Sequence, residues 1–192
     1  MPIVERNDLL FVTGNEFKFQ EARNIATAAG INLIRHPKTS LEVQEEDLEK
    51  LVRHKARDAH RDLLRPLFVE HTSLHIDYLD GFPGGFTKAF LRRFTEEKIC
   101  ELFGQPGRCA AVGRTVIGYC DGRDVRVYEA EVRGRIVETP AADLGGWTTF
   151  GWNRVFAPEP GDETFAEMGE DRKNEMSMRR MALHRLFDAL RR

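Results

Sequence analysis

The stretch Leu9-Leu10-Phe11-Val12-Thr13-Gly14-Asn15-Glu16-Phe17-Lys18 decides the fold of this chain. Its four apolar residues predict a short strand, and Thr13-Gly14-Asn15 predicts a turn. A helix is then expected from about Glu16 to Ala29, where Gly30 ends it. Backbone N–H groups at the start of such a helix, together with Lys18, favour an anion as ligand, although an ordinary β–α turn has the same pattern.

The next segments continue this alternation of strands and helices. Residues 31–34 predict a second strand, and Asp47 to about Leu64 predict a charged amphipathic helix that ends before Pro66. Residues 67–69 predict a third short strand. It would carry Glu70-His71-Thr72-Ser73 at its C-terminal end, where open α/β sheets usually place their ligand crevice.

The second half of the chain mixes helical and strand patterns. A Gly-Phe-Pro-Gly-Gly turn at residues 81–85 precedes helical segments around 86–94 and 95–103, and two strands follow at 110–119 and 125–128 as a hairpin. Residues 145–152 are rich in glycine and aromatic side chains and predict a shaped loop. Apolar residues at 183, 186, 187 and 190 predict a terminal helix with Ser177 as N-cap. The fold class is therefore α/β, with a long central sheet and helices packed around it.

Composition excludes several classes of protein. The formal net charge of −2 over 192 residues argues against a dedicated nucleic-acid binder, which needs an excess of cations. No apolar run approaches the roughly 20 residues that cross a membrane, and the N-terminus lacks a signal-peptide pattern, so the cytoplasm is the expected location. The three cysteines have no CxxC spacing and indicate reduced, structural thiols.

Five segments, in order along the chain, resemble the Ham1 or inosine triphosphate pyrophosphatase family. They are Thr13-Gly14-Asn15-Glu16-Phe17-Lys18, Glu70-His71-Thr72-Ser73-Leu74, Leu79-Asp80-Gly81-Phe82-Pro83-Gly84, Phe150-Gly151-Trp152-Asn153 and Lys173-Asn174-Glu175-Met176-Ser177-Met178-Arg179. The family patterns are roughly TGNxxK, (E/D)D(S/T)xL, LxGxPG, FG(W/Y)DP and KxxxSHR. The resemblance implies a single domain over residues 1–192, with a mixed sheet, flanking helices and a nucleotide cleft between two lobes.

The resemblance also implies roles for individual residues. The triphosphate would be held by Thr13, Asn15 and Lys18, with Lys55 as a further cation. Phe150 and Trp152 would shape the purine pocket, and Lys173 and Arg179 would donate to the purine O6 and nearby groups. Glu42 falls where the family keeps a metal-binding glutamate, although neighbouring acidic residues leave its register open. Three further positions of the family patterns would also contact the substrate: Thr72, Asn153 and Met178.

Three residues depart from the family patterns. His71 stands where the family has the central catalytic carboxylate, and imidazole is a poor ligand for Mg²⁺, the implied cofactor, with Mn²⁺ as an alternative. Glu70 is a candidate substitute, but adjacent strand residues point to opposite faces of a sheet. Asn153 replaces an aspartate and Met178 a histidine, so base selectivity is also expected to differ.

These departures lead to two principal functional hypotheses. The first is a protein that binds dITP, ITP or XTP with weak or no hydrolysis and acts as a nucleotide sensor for an effector protein, for example in anti-phage defence. The alternative is an active Mg²⁺-dependent pyrophosphatase that converts these nucleotides to monophosphate and pyrophosphate. A nucleotide-free structural subunit is a third alternative. The sequence does not fix the oligomeric state, and the resemblance implies a homodimer.

Overall fold

The computed structural model describes residues 8–37 and 45–191. Its strands are β1 (Asp8–Val12), β2 (Asn32–His36), β3 (Leu67–Ile76), β4 (Ala110–Cys120), β5 (Val125–Ile136) and β6 (Phe156–Pro158). Its α-helices are α1 (Glu16–Ala28), α2 (Leu48–Leu63), α3 (Thr87–Leu91), α4 (Glu96–Phe103), α5 (Glu170–Met176) and α6 (Met178–Leu190). Short 3₁₀ turns cover Asp77–Leu79, Gly84–Phe86 and Gly146–Thr149.

The six described strands form one mixed sheet in the order β2-β1-β3-β4-β5-β6. Strand β1 pairs in parallel with β2 and β3, and β5 pairs antiparallel with β6. The α/β fold class predicted from the sequence is therefore confirmed, and each of the first three strands overlaps its predicted range.

Side-chain caps explain where the longer helices begin. The Asn15 side chain accepts a hydrogen bond from the Lys18 N–H and starts α1, and Asp47 caps α2 through the N–H groups of Glu49 and Lys50. Thr95 caps α4 in the same way. Asparagine, aspartate and threonine are favoured at this position because their oxygens satisfy N–H groups that have no partner within the helix.

Strand β3 is longer than the sequence predicted. The sequence predicts a strand over residues 67–69 with Glu70–Ser73 at its C-terminal end, but the strand continues to Ile76. The prediction that Glu70 and His71 lie at a strand end is therefore wrong, and they lie inside the strand. The physical reason is burial at alternating positions, since Leu74 and Ile76 are buried and extend the strand into the core.

The described chain divides into two compact units, each built from separate segments of sequence. Unit 1 comprises residues 1–71, 116–129 and 179–192, and unit 2 comprises residues 72–115 and 130–178. In unit 1, α2 covers one core with Leu51, Val52 and Ala56, against apolar side chains of β1, β3, β4 and β5. Unit 2 has an aromatic core that includes Phe90, Phe103 and Phe156.

Candidate active site

The turn from Thr13 to Lys18, which we call the phosphate turn, is closed by its own side chains. The Asn15 N–H donates to Thr13 Oγ1 at 3.1 Å, and the Lys18 N–H donates to Asn15 Oδ1 at 3.0 Å. The side chains of Thr13 and Asn15, two of the predicted phosphate-binding residues, therefore also hold the backbone of the turn. Such a turn is ordered before a ligand arrives, which reduces the entropic cost of binding.

A buried network of charges lies beside the phosphate turn in unit 1. Lys18 Nζ lies 3.0 Å from Glu70 Oε1, and Arg179 contacts both Glu70 oxygens, at 2.6 Å through Nε and 3.1 Å through a terminal nitrogen. A further terminal nitrogen of Arg179 contacts Glu21. Burial disfavours the charge on Arg179, but Glu21 and Glu70 outweigh this and raise the pKa of Arg179 above its usual range. Arg179 therefore keeps its positive charge between the two carboxylates.

Three predicted site residues contact one another in this network: Lys18, Glu70 and Arg179. The Arg179 side chain is only 3% exposed. Sequence reasoning missed Glu21, which is 5% exposed and follows Lys18 by about one helical turn on α1. An acidic residue at this spacing from a site lysine is the signal that could have indicated it.

His71 and Thr72 follow Glu70 in β3. His71 is half-buried and its Nε2 atom is shielded from solvent. Thr72 Oγ1 lies 3.0 Å from Thr115 Oγ1 in unit 2. Lys55 is half-buried on α2, and Glu42 lies outside the described residues.

Among the described residues, the Glu70 carboxylate is already engaged and is poorly placed to hold a Mg²⁺ ion. Within residues 8–37 and 45–191, no group of three or more His, Cys, Asp or Glu side chains lies together as a metal site. Glu70, the nearest carboxylate to His71 in the sequence, has both oxygens engaged by Lys18 and Arg179. A magnesium ion would have to compete with two fixed cations for the same oxygens.

The aromatic residues predicted to shape the purine pocket lie in unit 2. Trp152 is buried and packs edge-on against Phe156, with ring centroids 5.0 Å apart, and tilted against Phe165 at 6.0 Å. Phe150 is half-buried. Trp152 is thus part of the aromatic core, and Phe150 is the more accessible of the two rings.

Lys173 carries a buried positive charge in the same unit. It is 5% exposed, and its Nζ lies 5.9 Å from the ring centre of Trp147 and 5.8 Å from that of Phe165. Such distances allow cation–π attraction, which partly offsets the cost of burial. Asn153 Nδ2 donates to the Trp147 carbonyl oxygen at 2.8 Å and so fixes the 3₁₀ turn that carries this ring.

Met178 is buried at the end of unit 2 and is 4% exposed. Its Cε atom and the Trp152 ring both lie beside Gly113 of β4. The position where the family pattern has histidine is therefore part of an apolar contact, in keeping with the loss of a hydrogen-bonding ring.

Comparison with known proteins agrees with this fold and arrangement of segments. The model of the Ham1 family matches residues 9–189. The chain belongs to the Ham1 family. No described helix is long and apolar enough to cross a membrane.

Two relatives show how far the similarity of this Ham1 member extends. It is 36% identical to a dITP/XTP pyrophosphatase of Methanopyrus kandleri over 182 residues, covering 94% of each chain. It is also 36% identical to an inosine triphosphate pyrophosphatase of Yarrowia lipolytica over 180 residues, covering 93% of each. Among solved structures, a Ham1 protein from Coxiella burnetii covers 96% of this chain with a TM-score of 0.80 at 21% identity, a likeness of fold.

Proposed function

We propose that this Ham1 protein hydrolyses non-standard purine nucleoside triphosphates (dITP, ITP and XTP) to the monophosphate and pyrophosphate. The observation that carries the proposal is the ordered phosphate turn with Lys18 fixed beside it by Glu70. Relatives with 36% identity over nearly the whole chain are named pyrophosphatases of these nucleotides, which supports the same activity here.

Phosphate binding would fall to the phosphate turn. The N-terminus of α1 attracts anions because its N–H groups and helix dipole point toward them. The Lys18 side chain is 19% exposed and adds a full positive charge, which Glu70 holds in position. Glu70 and Arg179 therefore act as positioning residues, because their charged atoms are bonded to each other and to Lys18.

Base selection would fall to unit 2. A 6-oxopurine presents an acceptor oxygen where adenine presents an amino group, so a donor selects inosine or xanthosine over adenosine. Lys173 is a donor without acceptor capacity, and Trp147 and Phe165 lie within cation–π distance of it. Asn153 would act indirectly, since its amide nitrogen holds the backbone of Trp147.

His71 is the proposed proton acceptor for the attacking water, through Nδ1, since its Nε2 atom is shielded from solvent. The water oxygen bonds to the α-phosphorus as the bond from that phosphorus to the α–β bridging oxygen breaks, and the bridging oxygen leaves with pyrophosphate. One water proton passes to His71, and the other stays with the water oxygen, which becomes part of the monophosphate. Imidazole can accept a proton near neutral pH, whereas Glu70 has both oxygens occupied by cations.

Binding without turnover is the second candidate function. It is favoured by His71 itself, because the family pattern has a carboxylate there and imidazole is a poor ligand for Mg²⁺. The sensor role, the effector partner, the link to anti-phage defence and the homodimer stay predictions. The cofactor proposal is Mg²⁺, or Mn²⁺, supplied with the triphosphate, whose oxygens are suitable hard ligands.

One experiment separates these candidates. The pure protein is incubated with dITP, ITP, XTP or dATP, with Mg²⁺ or Mn²⁺, and pyrophosphate release is followed while binding is measured by calorimetry. We expect release from the three 6-oxopurine nucleotides and at least about tenfold less from dATP. Binding without release would favour the second candidate, and absence of both would contradict any nucleotide function.

Substitution of His71 provides the mechanistic test. If His71 is the general base, His71→Ala lowers kcat by about 10²–10⁴ and changes KM much less. His184→Ala is the matched control, because His184 lies on α6 and packs on Phe187. Equal activity of the His71→Ala variant and the unmodified protein would contradict the proposed role of His71.

A further inference from the structure

We propose that Arg35 is a positioning residue for triphosphate binding, a role that rests on the proposed function of the phosphate turn. Arg35 lies in β2, opposite Phe11 in the parallel pairing with β1. Its guanidinium reaches past the end of β1 to the backbone of the phosphate turn. None of the five family-like segments includes it.

Arg35 makes three contacts with the phosphate turn. Its Nε donates to the Thr13 carbonyl oxygen at 3.2 Å, one terminal nitrogen donates to the Gly14 carbonyl oxygen at 3.0 Å, and the other pairs with Glu16. The neighbouring backbone adds a fourth tie, since the Thr13 N–H donates to the His36 carbonyl oxygen at 3.0 Å. Two successive carbonyl groups are therefore held by one planar side chain.

Holding the carbonyl groups of Thr13 and Gly14 also sets the direction of the backbone N–H groups that follow them. In a trans peptide the C=O and the following N–H point in opposite directions. With the Thr13 and Gly14 carbonyls held toward Arg35, the N–H groups of Gly14 and Asn15 point away from it. The Asn15 N–H does so by donating to Thr13 Oγ1. Arg35 thus fixes the direction of the donors that follow β1.

The contacts indicate an indirect role. The guanidinium of Arg35 is directed to two backbone oxygens and the Glu16 carboxylate, so its charge is partly neutralised. A rigid fork of donors suits this task, whereas a lysine ammonium offers a single point of charge. Arg35 therefore contributes to triphosphate affinity by keeping the turn ordered.

The chain offers a matched control in Arg23. Both guanidinium groups lie over the Phe19 ring, at 5.8 Å from the ring centre for Arg23 and 6.0 Å for Arg35. The Arg35 guanidinium has the carbonyl contacts with the phosphate turn described above. Arg23→Met and Arg35→Met each remove a positive charge and a cation–π contact with Phe19. Only Arg35→Met also removes the contacts with the phosphate turn.

The test measures dissociation constants by calorimetry for two ligands. One is an ITP analogue with an imido group between the α- and β-phosphates. Because this group resists hydrolysis, the binding measurement does not depend on whether the protein hydrolyses ITP. The other is IMP. For Arg35→Met we expect the dissociation constant of the triphosphate analogue to rise about tenfold, because hydrogen bonds to the turn are lost. The dissociation constant of IMP should rise less than about threefold. With Arg23→Met, the dissociation constant of either ligand should rise less than about twofold.

Arg35→Lys keeps the test decisive if Arg35→Met does not fold. It retains the charge but cannot bond both carbonyl groups in the same way, so the triphosphate affinity should fall about threefold. Equal affinities for the Arg35 and Arg23 variants, or equal losses for IMP and the triphosphate analogue, would overturn the role of Arg35. Failure of the unmodified protein to bind the analogue would instead contradict the proposed function.

Discussion

The ionised side chains of unit 1 are individually costly to bury. Removing a carboxylate or a guanidinium from water costs several kcal/mol, and this is offset only where partners satisfy the charge. Arg179 has two carboxylate partners, and Glu70 has two cationic partners. Each member of the network therefore depends on the others, and loss of one leaves a buried charge without full compensation.

Glu70→Gln tests this dependence. We expect the free energy of unfolding to fall by about 3–5 kcal/mol, measured by denaturant titration, because Arg179 and Lys18 lose a shared counterion. Glu101→Gln is the control: Glu101 pairs with Lys98 at 2.9 Å with 67% of its side chain exposed, and exposed pairs contribute about 0–1 kcal/mol. A loss no larger than that of the control would contradict the buried network.

His75 predicts a pH dependence of stability. Its Nε2 lies 2.9 Å from Ser73 Oγ. Burial, followed by the positive charge of Arg114, lowers the pKa of His75 below its ordinary value of 6.5, against opposing effects of the Gly81 backbone, Glu131 and Asp77. The unfolded chain then binds more protons between the two pKa values. Stability should therefore fall as the pH decreases below about 6.5.

The measurement is the midpoint temperature of unfolding at pH 7.5 and pH 5.5. We expect His75→Gln to show a smaller decrease than the unmodified protein, because glutamine keeps a polar side chain but does not titrate. An identical decrease in both proteins would show that His75 does not contribute to the pH dependence.

Strand β4 packs closely against Trp152 and Met178 at Gly113. A Cβ atom at Gly113 would lie 2.6 Å from Trp152 Cη2 and 3.4 Å from Met178 Cε. Gly113→Ala should therefore lower the free energy of unfolding by about 1–3 kcal/mol in a denaturant titration, since the strand or the indole ring must shift. Gly161→Ala is the control, because its nearest neighbour is the Pro158 carbonyl oxygen at 3.6 Å. Equal effects of the two substitutions would contradict the close contact.

The sequence predicted best those helices and strands that are marked by their own residues, through caps and apolar spacing. The start of α1 and both ends of α2 agree with prediction within about one residue, because caps and apolar spacing are local features. The extents of β5 and β6 were harder to predict. Strand β5 continues past the predicted residues 125–128 to Ile136, which pairs with Phe156 of β6, a residue distant in the sequence. The three residues of β6 give no periodic signal, and α5 was also not predicted.

Across the whole molecule, resemblance named candidate site residues, but it did not give the contacts between them. Arg179 contacts Glu21 across 158 positions, and Arg35 contacts Thr13 across 22. No spacing rule within a helix or strand reaches over such distances. The sequence thus indicated Lys18, Glu70 and Arg179 as candidate site residues, whereas the Glu21 carboxylate and the pairing of these charges required coordinates.

The division of the chain into two units has a consequence for recombination between related genes. The chain passes from one unit to the other at four junctions: His71–Thr72, Thr115–Val116, Glu129–Ala130 and Met178–Arg179. A single crossover between two homologous genes would therefore always join parts of unit 1 from different parents, and a crossover between residues 72 and 178 would mix unit 2 as well. Exchange of one intact unit requires breaks at all four junctions. Two of them, at Thr72 and Arg179, fall inside the family-like segments, so the units of this protein are expected to be inherited together.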